Sequence, residues 1–229
     1  MTTRTPTTRV ALVPVKAFAL AKGRLAPVLN ADERAGLAEA MLRDVIAAVT
    51  GAGAVDRLIL LGGDDARRVA DDLGLSWVDD NGDPELNRVL DRAADALATQ
   101  RVQTLLVLPG DLPTLQSPDV AALLACHRNG LTISPARSDG GTNALVVSPP
   151  GAMAFGFGPG SARRHLAHAL TAGLPAQNLA LEAFARDIDR PADLHWLCGQ
   201  ASGENTARWL QTHDIEQRLG DSGQTALQA

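Results

Sequence analysis

The chain has 229 residues, 45% of them hydrophobic, 21% charged and 3% aromatic, with no Tyr. That length fits one globular domain with at most a small appendage, and a core built from Leu, Val and Ala. A net charge of -5 excludes the broad basic face that nucleic-acid binding needs, though not a small anion held by local cations.

No apolar run approaches the roughly 18 residues of a membrane span, so no membrane partner is expected. Cys126 and Cys198 show neither metal-ligand spacing nor a disulfide framework, which points to a reducing, cytoplasmic setting. Residues 1–9 are rich in Thr and Arg without an apolar h-region and read as a flexible start, not a secretory signal.

Val10 to Val15 reads as a first strand. It runs into Lys16-Ala17-Phe18-Ala19-Leu20-Ala21-Lys22-Gly23-Arg24-Leu25, a loop with three cations in nine residues. A loop after the first strand of an α/β sheet is a usual phosphate site, but there is no G-x-x-x-x-G-K-[ST], so side-chain cations must replace glycine amides. A merely solvated basic loop is the plain alternative. Asn30 to Thr50 reads as a helix capped by Asn30, with Leu37, Met41, Val45 and Val49 at helical spacing. Leu58–Leu61 and Trp77-Val78 are strands around a helix ending near Gly74. Pro84 is expected at the first position of the next helix, which carries Leu86, Leu90 and Leu97.

Thr104 to Leu108 is short, apolar and uncharged, the pattern of a central strand buried on both faces. It stops at Pro109-Gly110, and Asp111 follows. A carboxylate there lies where open α/β sheets bind ligands, although Asp is also a common turn residue. Ser117-Pro118-Asp119 opens another helix, and Leu131–Ser134 is a strand. Gly140-Gly141-Thr142-Asn143 turns into the strand Ala144–Val147, a hairpin or a crossing at the sheet edge. Phe155 to Ser161 is glycine-rich, and Ser161 is expected to N-cap a helix to Gly173. Asp187-Ile188-Asp189-Arg190-Pro191 precedes a short helix with Asp193 at its start. Asn205 to Leu219 reads as one helix, and Gly220 to Ala229 as a frayed tail.

The alternation predicts a single α/β domain over residues 10–198, a mostly parallel, Rossmann-like sheet with helices on both faces, and a C-terminal extension over 199–229, partly helical or disordered. In such a sheet the basic loop, Asp111, the two glycine turns and the Asp187/Asp189 pair can meet at one edge. Cations, glycine amides and two separated carboxylates suit a magnesium–phosphate ligand. The histidines read as ordinary helix residues. His165 and His168 are spaced as a metal pair, but no third ligand is near in sequence. Trp77, Trp196 and Trp209 read as packing residues.

Seven segments together carry a resemblance: Val13-Pro14-Val15-Lys16, Ala21-Lys22-Gly23-Arg24-Leu25-Ala26, Leu86-Asn87, Pro109-Gly110-Asp111-Leu112-Pro113, Gly140-Gly141-Thr142-Asn143, Phe157-Gly158-Pro159-Gly160-Ser161 and Asp187 to Leu194. In this order they resemble the guanylyltransferases of deazaflavin coenzyme F-420 biosynthesis, within the nucleotide-diphospho-sugar-transferase-like superfamily. The resemblance implies transfer of GMP from GTP to 2-phospho-L-lactate, phosphoenolpyruvate or 3-phospho-D-glycerate, with the product passed to a downstream transferase. It implies magnesium at Asp111 and Asp187, with Asp189 as the other choice for the second ligand. It places the acceptor at Thr142, Gly158 and Ser161, the triphosphate at Lys16, Lys22 and Arg24 as the catalytic cations, and the nucleoside near Asn87. Gly23, Arg190 and the tail after Gly199 depart from the family pattern. The alternatives are a molybdenum-cofactor-type nucleotidyltransferase, whose first loop is usually richer in Gly and Ser, and a non-catalytic nucleotide-binding regulator. The sequence leaves oligomeric state open and is compatible with a homodimer.

Overall fold

A computed structural model describes residues 8–225. Of the flexible start expected over residues 1–9, residues 1–7 lie outside the described residues and Arg9 already opens the first strand; of the frayed tail expected over Gly220–Ala229, the last four residues lie outside and Gly220 to Thr225 continue the last helix. Strands β1 (Arg9–Pro14), β2 (Arg57–Leu61), β3 (Ser76–Val78), β4 (Thr104–Val107), β5 (Gly130–Pro135), β6 (Thr142–Ser148) and β7 (Ala176–Asn178) form one seven-stranded sheet, in the order β3-β2-β1-β4-β6-β5-β7. β1 pairs in parallel with both β2 and β4, β2 with β3, and β5 with β7. Among the described residues only β6 runs antiparallel, to β4 on one side and β5 on the other. The hairpin expected from the glycine turn is present, but β6 lies inside the sheet and not at its edge. Its residues Thr142 to Val147 are all buried, so both flanks need a hydrogen-bonded neighbour.

Alternate residues of each central strand go to opposite faces, as the pleat requires. Ala11 and Val13 join the core under α1 (Ala31–Gly51), α2 (Asp64–Leu73) and α4 (Ser117–Cys126). Val10 and Leu12 join the core under α3 (Leu86–Thr99) and α5 (Ser161–Thr171). The central strands are therefore apolar throughout, which is why their sequences do not alternate.

Helix starts follow their local chemistry. Asn30 caps α1 as expected: its side chain accepts from Glu33 N at 2.9 Å, and the Glu33 carboxylate accepts from Asn30 N at 2.8 Å. Pro84 lies outside α3, because the Asp83 carboxylate accepts from Glu85 N at 2.9 Å and holds the chain in a turn until Leu86. Ser161 is not the cap of α5. Gly160 takes that position at φ 69, a left-handed conformation open to glycine at little cost.

The residues after Gly199 extend the core. The single helix expected over Asn205–Leu219 is two, α7 (Glu204–Thr212) and α8 (Ile215–Thr225), parted where Asp214 adopts φ 50. Trp209, Ile215 and Leu219 pack in one cluster with Leu37 and Met41 of α1, Leu194 of α6 (Pro191–Cys198), and Leu25 and Leu29 from the end of the basic loop. The buried Asp44 carboxylate of α1 accepts from Asn205 N (3.0 Å), Asn205 Nδ2 (2.9 Å) and Thr206 N (2.8 Å). A side chain from another helix thus satisfies the orphan amides that open α7. Among the described residues no helix is long and apolar enough to cross a membrane.

Candidate functional site

The chain leaves β1 toward β2 on one side, while β4 docks on the other, so the sheet changes direction between β1 and β4. Open α/β sheets bind ligands in the crevice beyond such a point. Here the loops leaving β1 and β4 carry Lys16 and Asp111. A cleft of about 990 Å³ opens there, lined by Lys16, Lys22, Arg24, Asp111 and Asp189, and on its far wall by Asp80, Gly82, Asp83, Pro84 and Leu86. Antiparallel β6 starts at the same end of the sheet, which brings Thr142 and Asn143 beside the ends of the parallel strands.

The basic loop folds back over the crevice in two short 3-10 turns, Phe18–Leu20 and Gly23–Leu25, anchored by the buried Phe18 and Leu25. Lys22 sits between them in the left-handed region at φ 54, and its Nζ donates to Asp111 Oδ2 at 2.5 Å. Arg24 pairs with Asp189. Lys16 is exposed and faces the cleft. All three expected cations therefore reach the site, two of them already on carboxylates.

The two expected metal ligands also come together. Ile188 N donates to the Asp111 carbonyl at 3.2 Å, which ties the Asp187-Ile188-Asp189 segment to the loop after β4. Burial pushes the Asp187 carboxyl above its ordinary range, and the nearby Asp111 charge pushes it further; hydrogen bonding from Asn143 and the Lys22 charge oppose this. Asp111 Oδ1 is buried and has no hydrogen-bond partner. Asp189, which lines the cleft, is engaged by Arg24, whereas Asp187 stands beside Asp111 and is held by Asn143. Among the described residues no group of three or more His, Cys, Asp or Glu gathers as a metal site. A pair of carboxylates with one orphaned oxygen nonetheless fits magnesium, which usually takes one or two carboxylates and fills its shell with phosphates and waters.

Asn87 does not line the cleft. Its amide clamps a loop: Phe157 N donates to Asn87 Oδ1 at 2.6 Å, and Asn87 Nδ2 donates to the Phe157 carbonyl at 3.2 Å. With both ends of the amide engaged, Asn87 fixes the loop that carries Gly158, where the sequence placed it near the nucleoside.

Thr142, Gly158 and Ser161 do converge on one another, although, like Asn87, none of them lines the cleft itself. Ser161 Oγ donates to Thr142 Oγ1 at 3.0 Å, and the two glycine turns are joined by Gly160 N to the Asp139 carbonyl and Ala162 N to the Gly140 carbonyl. The amides of Gly160, Ser161 and Ala162 are all spent on carbonyls of these turns. These three amides at the helix start expected to face an anion are therefore committed within the turns, and Gly158 beside them is exposed at φ 125.

Two residues of this site escaped sequence reasoning as site residues. Asn143 donates to the Phe184 carbonyl at 2.9 Å and to Asp187 Oδ1 at 3.3 Å, so it aims the second carboxylate. His165 lies beneath Thr142, one helical turn after Ser161; that i, i+4 spacing was the available signal. His168 turns away to the Ala154 carbonyl at 2.8 Å, so the two histidines form no metal pair. Asp193 accepts from Arg190 N at 2.8 Å and starts α6. The tryptophans pack or pair locally: Trp77 Nε1 donates to the Gly62 carbonyl, Trp196 meets the Arg186 guanidinium and Trp209 stacks on His213.

Comparison with known proteins gives the family and the fold. The profile of the family described as "Guanylyl transferase CofC like" matches residues 9–228, so it includes the two helices after Gly199. The chain is 40% identical over 211 residues to a phosphoenolpyruvate guanylyltransferase of Roseiflexus sp. (strain RS-1), covering 91% of this chain and 92% of that protein. It is 39% identical to a phosphoenolpyruvate guanylyltransferase of Sphaerobacter thermophilus (85% and 94% covered) and 34% identical to the 2-phospho-L-lactate guanylyltransferase of Methanothermobacter thermautotrophicus (88% and 89%). In fold it matches a Desulfovibrio desulfuricans G20 crystal structure assigned to the nucleotide-diphospho-sugar transferases, at TM-score 0.71 and 17% identity over 92% of this chain and 97% of that one. The chain belongs to the CofC-like guanylyl transferase family, a group of nucleotidyltransferases.

Proposed function

We propose that this protein transfers GMP from GTP to the phosphate of a small phosphorylated acid, either phosphoenolpyruvate or a close relative such as 2-phospho-L-lactate or 3-phospho-D-glycerate. The observation that carries the reading is the meeting of Lys22, Asp111 and Asp187 at the β1/β4 crevice, beside a cleft large enough for a nucleoside triphosphate. The names of the relatives supply the base and the acceptor class.

An acceptor phosphate oxygen attacks the α-phosphorus of GTP. A new P–O–P bond forms, the bond to the β-phosphate oxygen breaks, and pyrophosphate leaves with its electron pair. The nucleophile is already anionic at neutral pH, so no general base is required. The obstacle is repulsion between anions, together with charge developing on pyrophosphate. Asp111 and Asp187 would hold magnesium, which when bound supplies charge neutralisation on the phosphate oxygens. Lys22, beside Asp111, and the exposed Lys16 would add positive charge along the triphosphate. Arg24, held by Asp189, would close that end of the cleft. Thr142 and Gly158 would take the acceptor, and holding both substrates in line supplies much of the remaining acceleration.

The product would be a guanosine-diphospho-acid for a downstream transferase of coenzyme F-420 biosynthesis. The two unpaired cysteines, Cys126 and Cys198, support a reducing cytoplasmic setting. A homodimer is part of the same reading, and sedimentation velocity checks it. The decisive experiment is pyrophosphate release from GTP with each of the three acids, with the product identified by mass. GTP binding without pyrophosphate release in any arm would instead favour a non-catalytic regulator.

A further inference from the structure

The acceptor side of the site rests on a buried hydrogen-bond chain whose direction can be worked out donor by donor. Gly156 N–H can only donate, and it donates to His165 Nε2 at 3.0 Å. His165 is fully buried, and burial holds its pKa down to about 4, so the ring is neutral near pH 7. A neutral imidazole that accepts at Nε2 carries its proton on Nδ1. That Nδ1–H therefore donates to Thr142 Oγ1, 3.0 Å away. Ser161 Oγ donates to the same oxygen, also at 3.0 Å. A hydroxyl oxygen accepts twice and donates once. Both acceptor sites of Thr142 are thus filled, and its own proton is the donor the chain leaves unspent. Of the three residues only Thr142 reaches the surface, at 7% exposure against none for Ser161 and His165. The ring is held edge-on by Phe157 at 4.7 Å between centroids, and the Asn87 clamp holds Phe157 in turn.

We infer that His165 is a positioning residue which, together with Ser161, fixes the Thr142 hydroxyl as an obligate donor and thereby selects an anionic oxygen of the acceptor. This rests on the proposed reading that Thr142 faces the acceptor acid. A hydroxyl locked as a donor favours a phosphate or carboxylate oxygen and disfavours a ligand that presents O–H or N–H at that point, because two donors would then face each other. His165 touches no substrate and acts only through Thr142.

A double-mutant cycle read as acceptor KM tests this, using wild type, His165→Gln, Thr142→Val and the double variant. Gln can still accept from Gly156 N–H in place of Nε2 but offers nothing in place of Nδ1–H. We expect His165→Gln to raise acceptor KM about fivefold, Thr142→Val about tenfold, and the double variant no more than Thr142→Val, with GTP KM unchanged throughout. Multiplied effects in the double variant overturn the role of His165 and leave the acceptor assignment standing. An unchanged acceptor KM in Thr142→Val overturns the acceptor assignment and this inference with it. Should His165→Gln not fold, 15N spectra of the histidine rings in the wild-type protein decide the matter. Protonated Nδ1 with bare Nε2 at His165 supports the inference, and the opposite tautomer overturns it.

Discussion

Asp111 faces two demands at once. It follows a strand buried on both faces, so its carboxylate is half-covered, and it stands near a second carboxylate, Asp187, whose ionised form burial already disfavours. The arrangement is tolerable because Lys22 meets one Asp111 oxygen, and the orphaned other oxygen is the natural place for a cation. We therefore expect Asp111→Asn and Asp187→Asn each to lose roughly a hundredfold or more in turnover while thermal unfolding stays cooperative. Near wild-type turnover of either variant at saturating magnesium would sink the metal assignment.

His165 gives a prediction of opposite character, on stability and not turnover. Its folded pKa of about 4 lies below the ordinary 6.5, so between these values the unfolded chain binds more protons than the folded one. The stability this residue contributes is present above pH 6.5 and is lost as pH falls toward 4, by about 3 kcal/mol. Urea midpoints from pH 7 to 4.5 should fall more steeply in wild type than in His165→Gln. Parallel profiles would show that the ring titrates normally.

At the scale of elements, polar side chains do what backbone pairing cannot. Asp44 reaches from α1 to the start of α7 and takes three N–H donors there. Asp44→Ala should cost about 2–4 kcal/mol, since buried donors lose a charged acceptor. Gly203→Ala should be costly as well, because an added Cβ would meet Asp44 Cγ at 2.3 Å. Chemical denaturation reads both, and a loss below about 0.5 kcal/mol in either would mean that α7 docks without this contact. The Asn87 clamp acts similarly on the loop between β6 and α5. Asn87→Ala should raise acceptor KM several-fold and leave GTP KM nearly unchanged, the reverse of what a nucleoside contact would give. A raised GTP KM with constant acceptor KM would return Asn87 to the nucleotide.

At the scale of the whole molecule, α7 and α8 close the same cluster that anchors the basic loop through Leu25 and Leu29. Arg218 of α8 also donates to the Val28 carbonyl at 3.2 Å and pairs with Glu33 at 2.7 Å. Ending the chain at Gly199 would uncover Leu37 and Met41 and free the loop that carries Lys22 and Arg24. We expect that truncation to lower the unfolding temperature by at least several degrees and, where the protein still folds, to weaken GTP binding. An unchanged unfolding temperature and GTP affinity would make these helices a true appendage.

The sequence by itself determined the elements and the class of fold, because those rest on signals between near neighbours. The apolar run Thr104 to Leu108, the Asn30 cap and the glycine turns each carry their reason within a few residues. It also brought out Asp111, the Asp187/Asp189 pair, the glycine turns and the basic loop, since charge after a buried strand and small residues in a turn stand out locally, while Thr142 was singled out by the family resemblance alone. The tertiary structure decided who partners whom. Only the antiparallel insertion of β6 brings Thr142 and Asn143 to the ligand end of the sheet. Only the packed α5 shows that Ser161 and His165 spend their polarity on Thr142, and only the docked loop shows that Asn87 is a clamp. Hydrogen bonds across 19 to 70 residues of chain leave no local periodicity, and their direction depends on which donors burial has already committed.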